Sequence, residues 1–278
     1  MAGAETGELD RFDAATAVTE VGDGRYAATL DAEYAVLGNP NGGYLLAVLA
    51  RAATTNLVAG GTDHPDCIAG SASFVRATTV GEAEVELAIL RRGARVSHVR
   101  ATLRQRGQVT VDAELACGRL PDEPDVSYER ECPVVLPDVE VCERRPVDGV
   151  PGINVEIMDR VDLRLDPAVT RWARGELVDT AEVRGWLRLA DGRRMDPLAL
   201  LFALDVMPPA TLPVVGLGGW VPTVQLSAYV RAWPAEGWLV ARQFARTIGD
   251  GLVDEVCELW DARGHAVAQA TQLAVVRA

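Results

Sequence analysis

Histidine is scarce in this chain. Only His64, His98 and His265 occur, and none has a second histidine or a cysteine at ligand spacing, so no bound metal is expected. The five cysteines, at positions 67, 117, 132, 142 and 257, form no Cys-x-x-Cys pair and are odd in number. That pattern predicts neither a disulfide framework nor a zinc site. Cys132 and Cys142 lie near each other in sequence, but a reducing compartment keeps such thiols apart. Positive charge is also in short supply: 27 basic against 40 acidic residues leave a net charge of −13. A nucleic-acid binder rests on neutralising phosphates with basic side chains, so that class of function is not expected. No apolar run approaches the length of a membrane span. The opening MAGAETGELDRFDAAT has no apolar segment of the signal-peptide kind. These absences together predict a soluble cytoplasmic protein.

What the chain has is apolar side chains, 49% of its 278 residues, enough for a large core. Residues 25–34 read as a strand. The loop Gly38-Asn39-Pro40-Asn41-Gly42-Gly43 follows, and then YLLAVLARAATTNLV, whose leucines and alanines predict a nearly all-round apolar helix. Four alternating segments, 67–77, 83–92, 95–106 and 108–118, predict antiparallel strands with glycines at the turns. From Arg119 to about Pro151 the composition shifts to proline and acid without periodicity, as in a surface linker.

Beyond the linker the same order returns. Segments 153–163 and 181–189 read as strands, and 196–209, DPLALLFALDVMPP, as an apolar helix. Asp196 can cap it, Pro197 suits its first turn, and Pro208 and Pro209 stop it. Asp205 is set into its greasy run, and an unpaired carboxylate there is costly. Strands are predicted over 221–232, 237–247, 251–262 and 265–277. FVRA at 74–77 matches YVRA at 229–232, an offset of 155. RQRGQVTVDAELA matches WDARGHAVAQATQLA at an offset of 157, and the helices register near 154. Slowly drifting offsets indicate a duplicated unit. The expected divisions are 1–118, 119–150 and 151–278, with the active site in the last.

A curved antiparallel sheet wrapped around one long apolar helix, present twice, is an α+β double hotdog. The segments NPNGGYLLAVLARAA, SFVRATTVGEAEVELAILRRGARVSH, DPLALLFALD, VPTVQLSAYVRAWP, GWLVARQFARTIGDG and LWDARGHAVAQATQ resemble the double-hotdog acyl-CoA thioesterases of the thioesterase II type. The resemblance implies a catalytic trio of an Asp late in the second helix, a Thr on the following strand and a Gln on the last strand. These fall on Asp205, Thr223 and Gln272. Read from the residues alone, Gln272 shares a strand face with Ala268, Ala270, Ala274 and Val276, where a long amide must find partners. Thr223 shares its face with Gln225, Ser227 and Tyr229 by simple alternation. The repeat offsets carry the trio back onto Arg51, Ile68 and Leu115, so the first unit lacks it.

The expected chemistry is hydrolysis of an acyl-CoA, or a related acyl thioester, by a water that the trio holds, with Asp205 as base. Burial in an apolar helix raises the pKa of such a carboxyl. Asn41, Gly42 and Gly43 are expected at the substrate, with the helix N-terminus offering N–H groups to the carbonyl oxygen. The family often carries His or Phe where this chain has Asn41. CoA phosphates would call for Arg91, Arg92, Arg95, Arg231, Arg242 or Arg246. No cofactor is expected, and a homo-oligomer is compatible with the fold. The competing readings are a hotdog enoyl-thioester hydratase, which would want a histidine by the carboxylate, and an acyl-thioester binding protein without turnover.

Overall fold

The structure, a computed structural model, describes residues 10–144, 155–217 and 221–276. A short helix α1 (Arg11–Ala15) leads into a hairpin of β1 (Val18–Gly22) and β2 (Arg25–Leu30). A small ribbon of β3 (Ala35–Val36) and β4 (Asn39–Pro40) precedes α2 (Gly42–Ala59). Strands β5 (Asp66–Phe74), β6 (Gly81–Arg91), β7 (Ser97–Gln105) and β8 (Gln108–Gly118) complete the first half. The connecting segment contains β9 (Glu143–Arg144). The second half contains β10 (Val161–Leu165), β11 (Glu182–Leu189), α3 (Pro197–Ala203) and α4 (Leu212–Val215). Strands β12 (Thr223–Val230), β13 (Leu239–Gly249), β14 (Leu252–Trp260) and β15 (Ala266–Val275) close the chain.

Thirteen strands form one antiparallel sheet in the order β1-β2-β6-β7-β8-β5-β12-β15-β14-β13-β11-β10-β9. The halves join where β5 pairs with β12, and Ser71 lies opposite Ser227 with their hydroxyl oxygens 2.9 Å apart. The sheet wraps α2 and α3, which pack on each other inside a core shared with the inward faces of the strands. Four hairpins among the described residues turn on two-residue loops, Asp23-Gly24, Leu37-Gly38, Arg106-Gly107 and Asp250-Gly251, with φ positive at both positions. That turn twists in the same sense as the strands it joins, and only glycine takes its second position without strain.

The structure departs from the sequence expectations at several elements. The lead-in is a helix and a strand, because Asp23-Gly24 folds residues 18–30 into a hairpin. The strand expected over 25–34 stops at Leu30, where Asp31 accepts from the Glu33 N–H and starts a 3-10 turn. Of the strand expected over 153–163, residues 153–154 lie outside the described residues; Glu156–Asp159 is a 3-10 turn and the strand begins at Val161.

The helix expected over 196–209 is only seven residues long, Pro197–Ala203. Its start is as expected: the Asp196 carboxylate accepts from the Ala199 N–H at 2.7 Å. Its end is set by α2. The first turn of α2 lies across its path, so close that a Cβ on Gly43 would come 2.7 Å from the Leu201 carbonyl oxygen. Asp205 therefore sits just beyond a short helix, not within a long one.

The Pro- and acid-rich segment runs over the second half. The Trp186 indole N–H donates to the Pro137 carbonyl at 2.9 Å, and Glu129 accepts from the Ala266 N–H at 2.8 Å.

Candidate active site

Asp205 is held by the opposite half of the molecule. Asn41 caps α2, its Oδ1 accepting from the Tyr44 N–H at 2.9 Å. Its Nδ2 donates to Asp205 twice, at 2.9 Å to Oδ2 and at 2.7 Å to the main-chain carbonyl. The Gly43 N–H donates to the same Oδ2 at 2.9 Å, and Gly42 also turns its amide to the carboxylate. Donors at a helix N-terminus favour the ionised form. Burial opposes them and wins, pushing the Asp205 carboxyl up to about 6. The glycines are required here: a Cβ at residue 42 would lie 2.9 Å from Asp205 Oδ2, and one at residue 43 would lie 2.8 Å from Asp205 Cβ.

A second polar group faces the same cavity. The Thr223 hydroxyl donates to Gln272 Oε1 at 2.9 Å, and Gln272 Nε2 donates to Glu255 Oε2 at 2.8 Å. Glu255 is 2% exposed. Its Oε1 accepts from the Ala210 N–H at 2.6 Å and its Oε2 from Gln243 Nε2 at 3.2 Å. Burial pushes this carboxyl up to about 7, and the nearby Asp205 adds to the rise.

Thr223 reaches Gln272 because β12 carries a bulge. The register slips between Thr223, opposite Ala274, and Gln225, opposite Leu273. That extra residue turns Thr223 away from the outward face of Gln225, Ser227 and Tyr229, which simple alternation predicts for it.

Asp205, Thr223, Gln243, Glu255 and Gln272 all line one cavity of about 830 Å³. Its other walls are largely apolar and include Ile157, Met158, Leu163, Leu165, Trp172, Met207 and Leu212. Asn41 and Gly42 line it as well; Gly43 does not, its N–H being spent on Asp205. The glycine pair thus holds the carboxylate, where the sequence suggested a donor for a substrate carbonyl. Arg91, Arg92, Arg95, Arg231, Arg242 and Arg246 are not among the lining residues, and Arg242 is paired with Glu182. Arg76 and Arg144 line the cavity instead. His64 Nδ1 lies 2.8 Å from Ser97 Oγ and His265 Nδ1 lies 2.8 Å from Glu129, so neither faces Asp205.

The strand registers give the counterpart of each group in the first half. Glu255 pairs with Gln272 as Val99 pairs with Leu115. The bulge at Thr223 recurs at Cys67, so Cys67 is its counterpart and not the Ile68 that the offset of 155 indicates. Arg51 turns instead to Asp13 and Thr16. Polar groups line the second half where the first has Val99, Leu115 and Cys67.

Residues 30–118 match the acyl-CoA thioesterase N-terminal domain, and residues 137–276 match the acyl-CoA thioesterase C-terminal domain. The chain belongs to the acyl-CoA thioesterase family. An uncharacterized protein of Mycobacterium tuberculosis is 32% identical over 254 residues, covering 86% of each chain. A candidate thioesterase II from Thermobifida fusca is 37% identical, with a TM-score of 0.85 over 96% of this chain and 98% of the other. A hot dog fold protein from Alicyclobacillus acidocaldarius, 24% identical, superposes with a TM-score of 0.81 over 98% and 99% of the two chains. The hotdog fold and an acyl-CoA thioesterase activity are therefore established at the level of the family. Within that frame, sequence reasoning missed Glu255. Its signal was present: Val253, Glu255, Cys257 and Leu259 share the inward face of β14, and a lone carboxylate there is anomalous.

Proposed function

We propose that this thioesterase hydrolyses acyl-CoAs with a water held between Asp205 and the Thr223–Gln272 pair, Asp205 taking its proton. The observation that carries the reading is a half-buried carboxylate, near-neutral in pKa, on the wall of a largely apolar cavity. A general base works best when its pKa lies near the working pH. The hydrogen bonds from Asn41 and Gly43 fall on Oδ2, which leaves Oδ1 to receive the proton. The apolar wall suits an acyl chain, and Arg76 and Arg144 suit CoA phosphates. In this reading the molecule is a double hotdog, divided at 1–118, 119–150 and 151–278, and the first unit supplies the Asn41 clamp while the second supplies the chemistry. A cytoplasmic setting fits the five free thiols. The test is thiol release from a panel of acyl-CoAs by Asp205→Asn, Thr223→Val and Gln272→Ala. Loss of turnover in folded variants supports the assignment, and wild-type rates in Asp205→Asn overturn it.

A further inference from the structure

We propose that Glu255 is a positioning residue for the proposed reaction: its carboxylate fixes which end of the Gln272 side-chain amide faces Thr223. This rests on the reading of Gln272 as part of the hydrolytic trio. Glu255 itself is set back, with its oxygens committed to Ala210, Gln243 and Gln272.

The argument is one of donors and acceptors. An ionised carboxylate only accepts, so it selects the Nε2 end of Gln272. The Oε1 end then points to Thr223 and accepts its hydroxyl proton at 2.9 Å. One amide orientation and one hydroxyl orientation follow from a single charge behind them. A protonated Glu255 carries an O–H that needs an acceptor. Of the three groups bonded to Glu255, Ala210 offers only its N–H, so the acceptors among them are the amide oxygens of Gln272 and Gln243, each presented only after that amide turns over. Turning Gln272 puts its NH2 toward Thr223 and reverses the hydroxyl. Gln243 Oε1 is buried without a hydrogen-bond partner in the orientation seen, so this amide has an unmet acceptor beside Glu255.

The groups facing Glu255 are Asp205 from the loop after α3, Gln243 from β13, Gln272 from β15, and Cys257 on its own strand. Of these only Asp205 titrates in the same range, since burial pushes the Cys257 thiol well up. Two like charges near one cavity titrate as a pair.

Two measurements on the full chain test this. First, activity on a straight-chain acyl-CoA such as octanoyl-CoA is followed against pH. If both Asp205 and Glu255 must be ionised, the acid limb of log kcat has a slope of two in wild type and one in Glu255→Gln, with the limb moved to lower pH. Glu255→Leu, which removes the acceptor, is expected to lower kcat by roughly 100-fold with little change in KM. Second, the side-chain amide signals of Gln272, assigned by their loss in Gln272→Ala, are followed by NMR. They should shift as pH rises through about 7 and stop responding in Glu255→Gln. This readout needs no turnover, so it judges Glu255 even if the hydrolytic reading fails. An unchanged slope in folded Glu255→Gln, or amide signals with the same pH response in both proteins, overturns the proposal.

Discussion

Asp205 and Glu255 share a thermodynamic signature. Both are carboxyls whose pKa is raised in the folded protein, from 3.8 to about 6 and from 4.5 to about 7. The folded state therefore binds more protons than the unfolded chain over these windows, and stability falls as pH rises through them. For Asp205 the loss amounts to about 3 kcal/mol between roughly pH 4 and 6. Asp205→Asn is expected to raise the melting temperature at pH 8 while abolishing turnover. Calorimetry beside a thiol-release assay checks both; a variant less stable than wild type at pH 8 contradicts the account. Asn41 offers a finer cut. Asn41→Ser keeps the cap on α2 but removes the Nδ2 donor that favours the Asp205 carboxylate. The acid limb of kcat should move to higher pH in Asn41→Ser, with thermal stability changed by less than about 1 kcal/mol.

At the level of elements, the contact between the start of α2 and the end of α3 governs the site. Gly43 has no room for a Cβ against Leu201 and Phe202 backbone oxygens, which cannot rotate away as a side chain can. Gly43→Ala should cost about 2–4 kcal/mol by urea titration and should lower kcat as well, since the same shift moves Asp205. The length of α3 was illegible in the sequence for a related reason. DPLALLFALD carries helix formers up to Asp205, and what shortens it is another segment of chain about 160 residues away in sequence. The bulge at Thr223 was equally hidden. No glycine or proline marks the slip itself, and period-two reading assigned Thr223 the wrong face.

Over the whole molecule, the two halves are joined by more than the β5–β12 seam. Asp13 accepts from Arg51 of the first half and from Arg193 of the second, and Arg193 also pairs with Asp196 at the start of α3. Arg193 is only 10% exposed in its side chain. Removing one of its partners by Asp13→Ala leaves a mostly buried guanidinium with fewer acceptors, at a cost of about 2 kcal/mol. Because the sheet is continuous and the core is shared, urea unfolding should be a single transition. Tryptophan fluorescence and far-UV circular dichroism should trace the same curve, and two separated midpoints would show that the halves unfold independently.

Much of the architecture was open to inspection in the chain itself. The Xaa-Gly turns, the alternating strands, the nearly all-round apolar α2 and the drifting repeat all express local preferences that each segment carries with it. Asp205 and Gln272 were also legible as polar residues at anomalous places, whereas Thr223 was reached only through the family resemblance. What only the tertiary structure decided was their partnership. Asn41 and Gly43 hold Asp205 across more than half the length of the chain, the β12 bulge brings Thr223 to Gln272, and Glu255 stands behind that amide. Hydrogen bonds and desolvation depend on distances of a few ångströms between segments, and no local preference encodes those distances.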